Sequence, residues 1–191
     1  MAAFFFSLLA LTALTGTVLL TVLLVSARRD PEGQAAVLLD DVAPAALPLA
    51  AVVAATSMFG SLYFSEVLLF EPCKLCWYQR IAMYPLAPLL GIAAVRRDLH
   101  IRPYAWILSG SGALIAAYHY TIQWFPDLEA TSCAADNPCS AFFVREFGFV
   151  SIPFMALCGF LAITVLVAVA ARDRTTTTDD DVDAPAQEVV Q

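Results

Sequence analysis

The chain is written as long apolar runs separated by short polar joints. Met1 to Ser26 carries no charged side chain. Ala45 to Phe70 holds only Glu66, near its end, and Trp77 to Val95 only Arg80, near its start. Pro103 to Phe125 and Phe149 to Ala171 hold none. Each run approaches or exceeds the ~20 residues, rising ~1.5 Å apiece, that cross a ~30 Å hydrocarbon layer. The runs are continuous and lack the alternation of an outer-membrane strand. In lipid, a helix satisfies every backbone group within its own segment. The pattern predicts an all-α integral membrane fold with five transmembrane helices.

Composition sharpens that reading. Hydrophobic residues make up 60% of the chain and charged ones 14%, with a mean hydropathy of +0.75. A soluble fold of 191 residues has too much surface for its volume to hide so many apolar side chains. With 10 Lys+Arg against 17 Asp+Glu, the chain is no basic nucleic-acid binder. Asp173, Asp179, Asp180, Asp181, Asp183 and Glu188 crowd into the C-terminal stretch. That stretch has no periodicity and reads as a disordered tail.

Orientation follows from the basic residues. Arg28 and Arg29 follow the first run, Arg96, Arg97 and Arg102 separate the third from the fourth, and Arg172 and Arg174 follow the fifth. Five crossings put all three clusters on one side, which the positive-inside rule makes cytoplasmic. The connections 71–76 and 126–148 then face outward, as does the N-terminus. The first run ends in Val25-Ser26-Ala27, like a signal-peptidase site, but it has no basic start and exceeds the usual ~7–15 apolar residues. Cleavage would also invert every later helix against the charge bias, so the run is read as retained. The expected plan is an additional N-terminal transmembrane helix (1–26), a cytoplasmic linker (27–44), a four-helix core (45–171) and an acidic cytoplasmic tail (172–191).

Four of the five cysteines fall in the outward connections, where disulfides persist. Cys73 and Cys76 form Cys-Lys-Leu-Cys at the start of the third run, and Cys133 and Cys139 share the second outward loop. Structural staples are the ordinary reading of such cysteines, and they suit the second pair. They suit the first pair poorly, because a link across two residues removes little chain entropy. Closely spaced pairs at a helix N-terminus favour a thiolate and easy exchange, which points to redox chemistry. Position 77 is Trp, so covalent haem attachment is excluded. A zinc site drawing four sulfurs from the two loops is an alternative.

Arg80 lies one turn after Cys76 on the same helix face. A charge at that depth faces the protein interior, a polar ligand, or the headgroups by snorkelling. Beside a thiol, the reading is an electropositive site that stabilises the Cys76 sulfur and a reduced acceptor. His119, near the outward end of the fourth run, either packs through hydrogen bonds or donates to that acceptor and relays protons. Glu66 either pairs with Arg80 or sits at the interface. Cys158 has no thiol at helical spacing and reads as packing, while Trp77, Tyr78 and Trp124 read as an interfacial belt.

Taken together, Glu71-Pro-Cys-Lys-Leu-Cys-Trp-Tyr-Gln-Arg80 resembles the signature of the DsbB family of disulfide-bond formation proteins. The stretches Tyr118 to Pro126 and Glu146 to Pro153 resemble the family's corresponding helix ends. The wording around the first motif, with Met83-Tyr84-Pro85, is similar to the BdbC-like branch. The resemblance covers roughly Ala45 to Ala171 and implies a four-transmembrane-helix bundle of DsbB type, here with an additional N-terminal helix. It implies a quinone-dependent thiol oxidase, drawing on menaquinone or ubiquinone from the membrane pool. The implied partner is an extracytoplasmic thioredoxin-like protein of the DsbA or BdbD kind. It further implies that Cys133 receives the partner, that Cys139 exchanges with Cys73, and that Cys76 meets the quinone with Arg80 and His119 nearby. Two rivals remain at this point: a non-catalytic scaffold with two structural disulfides, and a quinone reductase of the vitamin K epoxide reductase kind.

Overall fold

The structure, a computed structural model, describes residues 1–129, 133 and 137–172. The tail expected at 172–191 therefore lies outside the described residues apart from Arg172. The described residues form five long helices: α1 (Ala2–Arg29), α2 (Gln34–Leu62), α3 (Lys74–Arg96), α4 (Arg102–Trp124) and α5 (Ile152–Ala170). No strand forms among the described residues.

Local chemistry sets most of the boundaries. Glycine at position 33 supplies the extended residue from which α2 starts. That start lies ahead of Ala45, so residues 34–44 are helical despite Pro44 and Pro48. Helix α2 runs into a single π turn, Tyr63–Val67, and the chain then bends through Leu69 at φ 56°. Helices α4 and α5 each carry proline in the first turn, where its missing N–H costs nothing. Ahead of α5, Glu146 and Val150 pair across a tight reversal with Phe147 and Gly148 both at positive φ. Two left-handed residues in succession match the primed turn that a short hairpin prefers, which suits glycine at 148.

Helices consecutive in the chain run antiparallel, while α1 and α5 pack with their starts side by side, Ser7 lying against Met155. Arg80 near the start of α3 reaches Ser61 near the end of α2, and Arg172 after α5 reaches Asp40 near the start of α2. The five helices therefore gather Arg28, Arg29, Arg96, Arg97, Arg102 and Arg172 at one end and the cysteine loops at the other. Helix α5 is the hub, packing on α1, α2 and α4, and its Phe160, Ile163 and Val167 are fully buried. Gly112 of α4 lies against Phe160 so closely that a Cβ there would overlap the ring. Helices α3 and α5 hardly touch, which leaves space between them beside α2.

The outside of the bundle is as apolar as the inside. Leu114 is 75% exposed, Ile107 69% and Leu19 60%. Apolar surface on that scale needs a lipid environment. Helix α1, α2 with its π turn, and α5 are long and apolar enough to cross a membrane.

Candidate active site

Pro72 holds the chain extended before α3, and Cys73 is the residue from which the helix starts. One turn brings Cys76 back to the same face, so the two free thiols lie with Sγ atoms 3.2 Å apart. The two differ in surroundings. Cys73 is buried, whereas Cys76 is half-buried.

Helix α4 delivers His119 to Cys73. Its Nε2 is 3.7 Å from the Cys73 sulfur and 2.9 Å from the Cys139 carbonyl oxygen. A carbonyl only accepts, so Nε2 carries the hydrogen, and Nδ1 accepts from the Gln79 side-chain amide at 2.9 Å. One buried imidazole thus touches both cysteine pairs. The hydrogen bond between the Cys73 and Cys76 sulfurs, and next His119, hold the Cys73 thiol well below its ordinary range, against the opposing effect of burial. The ligand atoms of Cys73, Cys76 and His119 all lie within 4.8 Å of one another.

Cys133 and Cys139 form a disulfide with Cα atoms 6.0 Å apart. Cys139 is buried and packs with Cys73 and Ile122, while Cys133 is half-buried. The carboxylate of Glu129 accepts from the Cys139 backbone N–H at 2.6 Å and from the Ser140 hydroxyl at 2.5 Å. Gln123 donates to the Ala141 carbonyl and accepts from Ser151, which ties the loop to α4 and α5. Asn137 donates to the Glu71 carbonyl and joins the two loops. With Cys133 and Cys139 bonded to each other, these two sulfurs are engaged in the disulfide rather than grouped with Cys73 and Cys76.

On the other side of Cys76 lies a cavity of about 530 Å³. Cys76, Gln79 and Arg80 line one end of it, and Phe64, Phe70 and Phe143 stand around that end. The Arg80 guanidinium is fixed from both sides. Nε donates to Ser61 Oγ (2.9 Å) and Nη2 to the Ser61 carbonyl (3.0 Å), while the group sits 5.3 Å from the Trp77 ring centre. Glu66 is exposed and accepts from Ser65, so the pairing of Glu66 with Arg80 weighed from sequence is not formed. Nor does His119 line the large cavity. It faces the cysteine pairs, because Gln79 takes the position between it and Arg80's side of α3. Cys158 is buried on α5 as a free thiol, as expected of a packing residue.

Four functional-looking residues escaped the sequence reading: Gln79, Gln123, Glu129 and Ser61. Gln79 and Gln123 carried a usable signal, since an amide inside an apolar run must find a partner when buried. Glu129 and Ser61 carried none, because loop polarity and a lone serine are commonplace.

These helices therefore frame two cysteine pairs that touch through one imidazole at the end of an apolar bundle, which is the equipment of a membrane thiol–disulfide oxidoreductase. The family model described as Disulfide bond formation protein DsbB matches residues 44–170. The chain belongs to the DsbB family of disulfide-bond formation proteins. It is 47% identical over 116 residues to Probable disulfide formation protein C 1 of Bacillus cereus, covering 60% of this chain and 84% of that one. It is 42% identical over 125 residues to Disulfide bond formation protein C of Bacillus subtilis, covering 65% and 91%. No solved structure matches the chain. The expected kinship with the disulfide formation protein C branch is borne out.

Proposed function

We propose that this chain is a membrane thiol:quinone oxidoreductase that reoxidises an extracytoplasmic thioredoxin-like protein and delivers the electrons to membrane quinone. The observation that carries this reading is that Cys76 and Arg80 line the same large apolar cavity. A cavity of that size, mostly apolar with a few convergent polar groups, suits a small hydrophobic acceptor. A quinone ring fits the donor set, with Arg80 and Gln79 as hydrogen-bond donors at one end. When bound, the quinone supplies a sink for two electrons and two protons.

The chain's own sulfurs do the rest. The half-buried Cys133 is the sulfur that an incoming partner thiolate reaches, and attack there breaks the Cys133–Cys139 bond and frees Cys139. The partner's second thiolate then displaces Cys133, so the partner leaves as a disulfide and the loop pair as a dithiol. The loop pair is reoxidised by exchange with the Cys73–Cys76 pair in its disulfide form: Cys139 attacks Cys73, Cys76 departs as thiolate, and Cys133 closes on Cys139. Each step conserves one disulfide and moves two electrons inward. His119, bonded to the Cys139 carbonyl and close to Cys73, holds the two pairs in register. Arg80 offsets negative charge at Cys76, where the low dielectric strengthens the attraction.

Placing the basic end in the cytoplasm puts both cysteine loops outside, with α2 to α5 as the catalytic bundle and α1 as an extra crossing. The site assignments are catalytic Cys73, Cys76, Cys133 and Cys139, with Arg80 at the acceptor and His119 between the cysteine pairs. The test is to purify the protein in detergent, add a reduced thioredoxin-like partner and a soluble quinone, and follow quinone absorbance. The unmodified protein turns over. If Cys76→Ser turns over equally well, the proposal is wrong.

A further inference from the structure

The cavity beside Cys76 is much longer than a quinone ring. Its walls run from Phe6 to Leu20 on α1 and from Ile152 to Leu166 on α5. At ~1.5 Å per residue, each wall is about 21 Å long. The cysteine and Arg80 occupy only the outward end. The remaining length is walled partly by α1, which lies before the family-matched region and is no part of the common bundle.

Helix α1 is shaped for this position. At its outward end it packs tightly: a Cβ on Gly60 of α2 would meet the Phe6 ring at 2.8 Å, and Phe6 and Phe64 have ring centres 5.4 Å apart. One to three turns further on it stands away. Ala10, Ala13 and Gly16 recur every third residue along the cavity side, and a Cβ on Gly16 would meet nothing within 4 Å. The hydroxyls on this stretch turn inward to their own helix, Thr12 donating to the Leu9 carbonyl and Thr17 to the Ala13 carbonyl. That leaves the cavity an apolar wall with small side chains.

We infer that α1 forms the outer wall of a channel that seats the polyisoprenoid tail of the quinone whose ring meets Cys76 and Arg80. The occupant follows from continuity: one uninterrupted cavity joins the redox cysteine to the α1 groove, so a molecule with a polar ring and a long apolar tail matches it end to end. The inference rests on the proposed quinone reading and adds a determinant of acceptor choice. Acceptors with tails gain contacts from α1, whereas tailless ones do not.

The experiment compares a tailed menaquinone with tailless menadione. Gly16→Phe and Ala13→Leu place bulk in the channel, and Leu19→Phe, on the 60% exposed lipid side of α1, is the control. Equilibrium binding of radiolabelled tailed menaquinone should weaken by about tenfold in the first two variants and stay unchanged in the third. The menadione KM should be unchanged in all three, with an unaltered Tm. Tailed-quinone binding that survives both channel substitutions overturns the inference. So does an equal loss for tailed and tailless quinones, or the loss of a co-purifying phospholipid while quinone binding stays intact, which would mark the groove as an acyl-chain site. If the unmodified protein neither binds nor reduces any quinone, the proposed function fails and the channel assignment fails with it.

Discussion

The two faces of the Cys73–Cys76 pair differ in the space beside them. Toward the loops, Cys73, His119 and Gln123 surround about 10 Å³ of free space, no more than a single water needs. Toward the helices, Cys76 opens on about 530 Å³. The first region is dense and crossed by hydrogen bonds from His119 and Gln123, while the second is apolar, roomy and anchored by one arginine. The contrast separates two physical demands. Exchange between sulfurs requires in-line approach, which a rigid network supplies, whereas a lipid-borne acceptor must enter and leave, which requires space. One helical turn meets both because Cys73 and Cys76 share a contact yet point their free sides apart.

Breaking the connection at the sulfur should have the largest effect. Cys76→Ser is expected to reduce quinone turnover on the order of 10³-fold or more, while the Cys133 mixed disulfide with a reduced partner still forms. Gel mobility of trapped complexes beside quinone absorbance checks both halves. Next comes the roomy side alone. Arg80→Met should raise the apparent KM for quinone about tenfold and leave partner affinity within about twofold. An unchanged KM would remove Arg80 from the acceptor site.

The dense side should respond differently. His119→Ala removes one of the influences that hold the Cys73 thiol low, so its ionisation moves upward. The thiolate exists above the depressed value and is lost as pH falls through it, so thiolate absorbance at 240 nm should vanish at a higher pH in the variant. Exchange between the pairs should slow roughly fivefold, because Cys73 departs less readily as a thiolate when Cys133 closes on Cys139. The smallest effect is expected at Glu129. Glu129→Gln keeps hydrogen-bonding capacity but loses the charge that strengthens the bonds to Cys139 and Ser140, so partner-driven turnover should fall roughly twofold. Stopped-flow rates with saturating quinone would show it.

How far the sequence carried these conclusions depends on the range of each interaction. The Cys-Lys-Leu-Cys motif, its place at a helix start and the shared face of Cys76 and Arg80 were all legible, because spacing within one turn sets them. So was the gathering of basic residues at one end, which needs only the count of crossings. The beginning of α2 was not legible. Pro44 and Pro48 look like breakers, but each removes only a local bond and the helix continues through them. The partners of His119 were not legible either, since its ring is claimed by Gln79 from α3 and by Cys139 from a loop.

By itself the sequence determined a helical membrane protein with an exchange-type cysteine pair at one end, since hydrophobic run length and local spacing obey short-range rules. Only the tertiary structure decided which thiol is buried beside His119, which one opens onto the cavity, and that α1 walls it. Those outcomes depend on which helix faces pack together and where they leave a gap. Such packing is settled between residues far apart in the chain, and no local pattern records it.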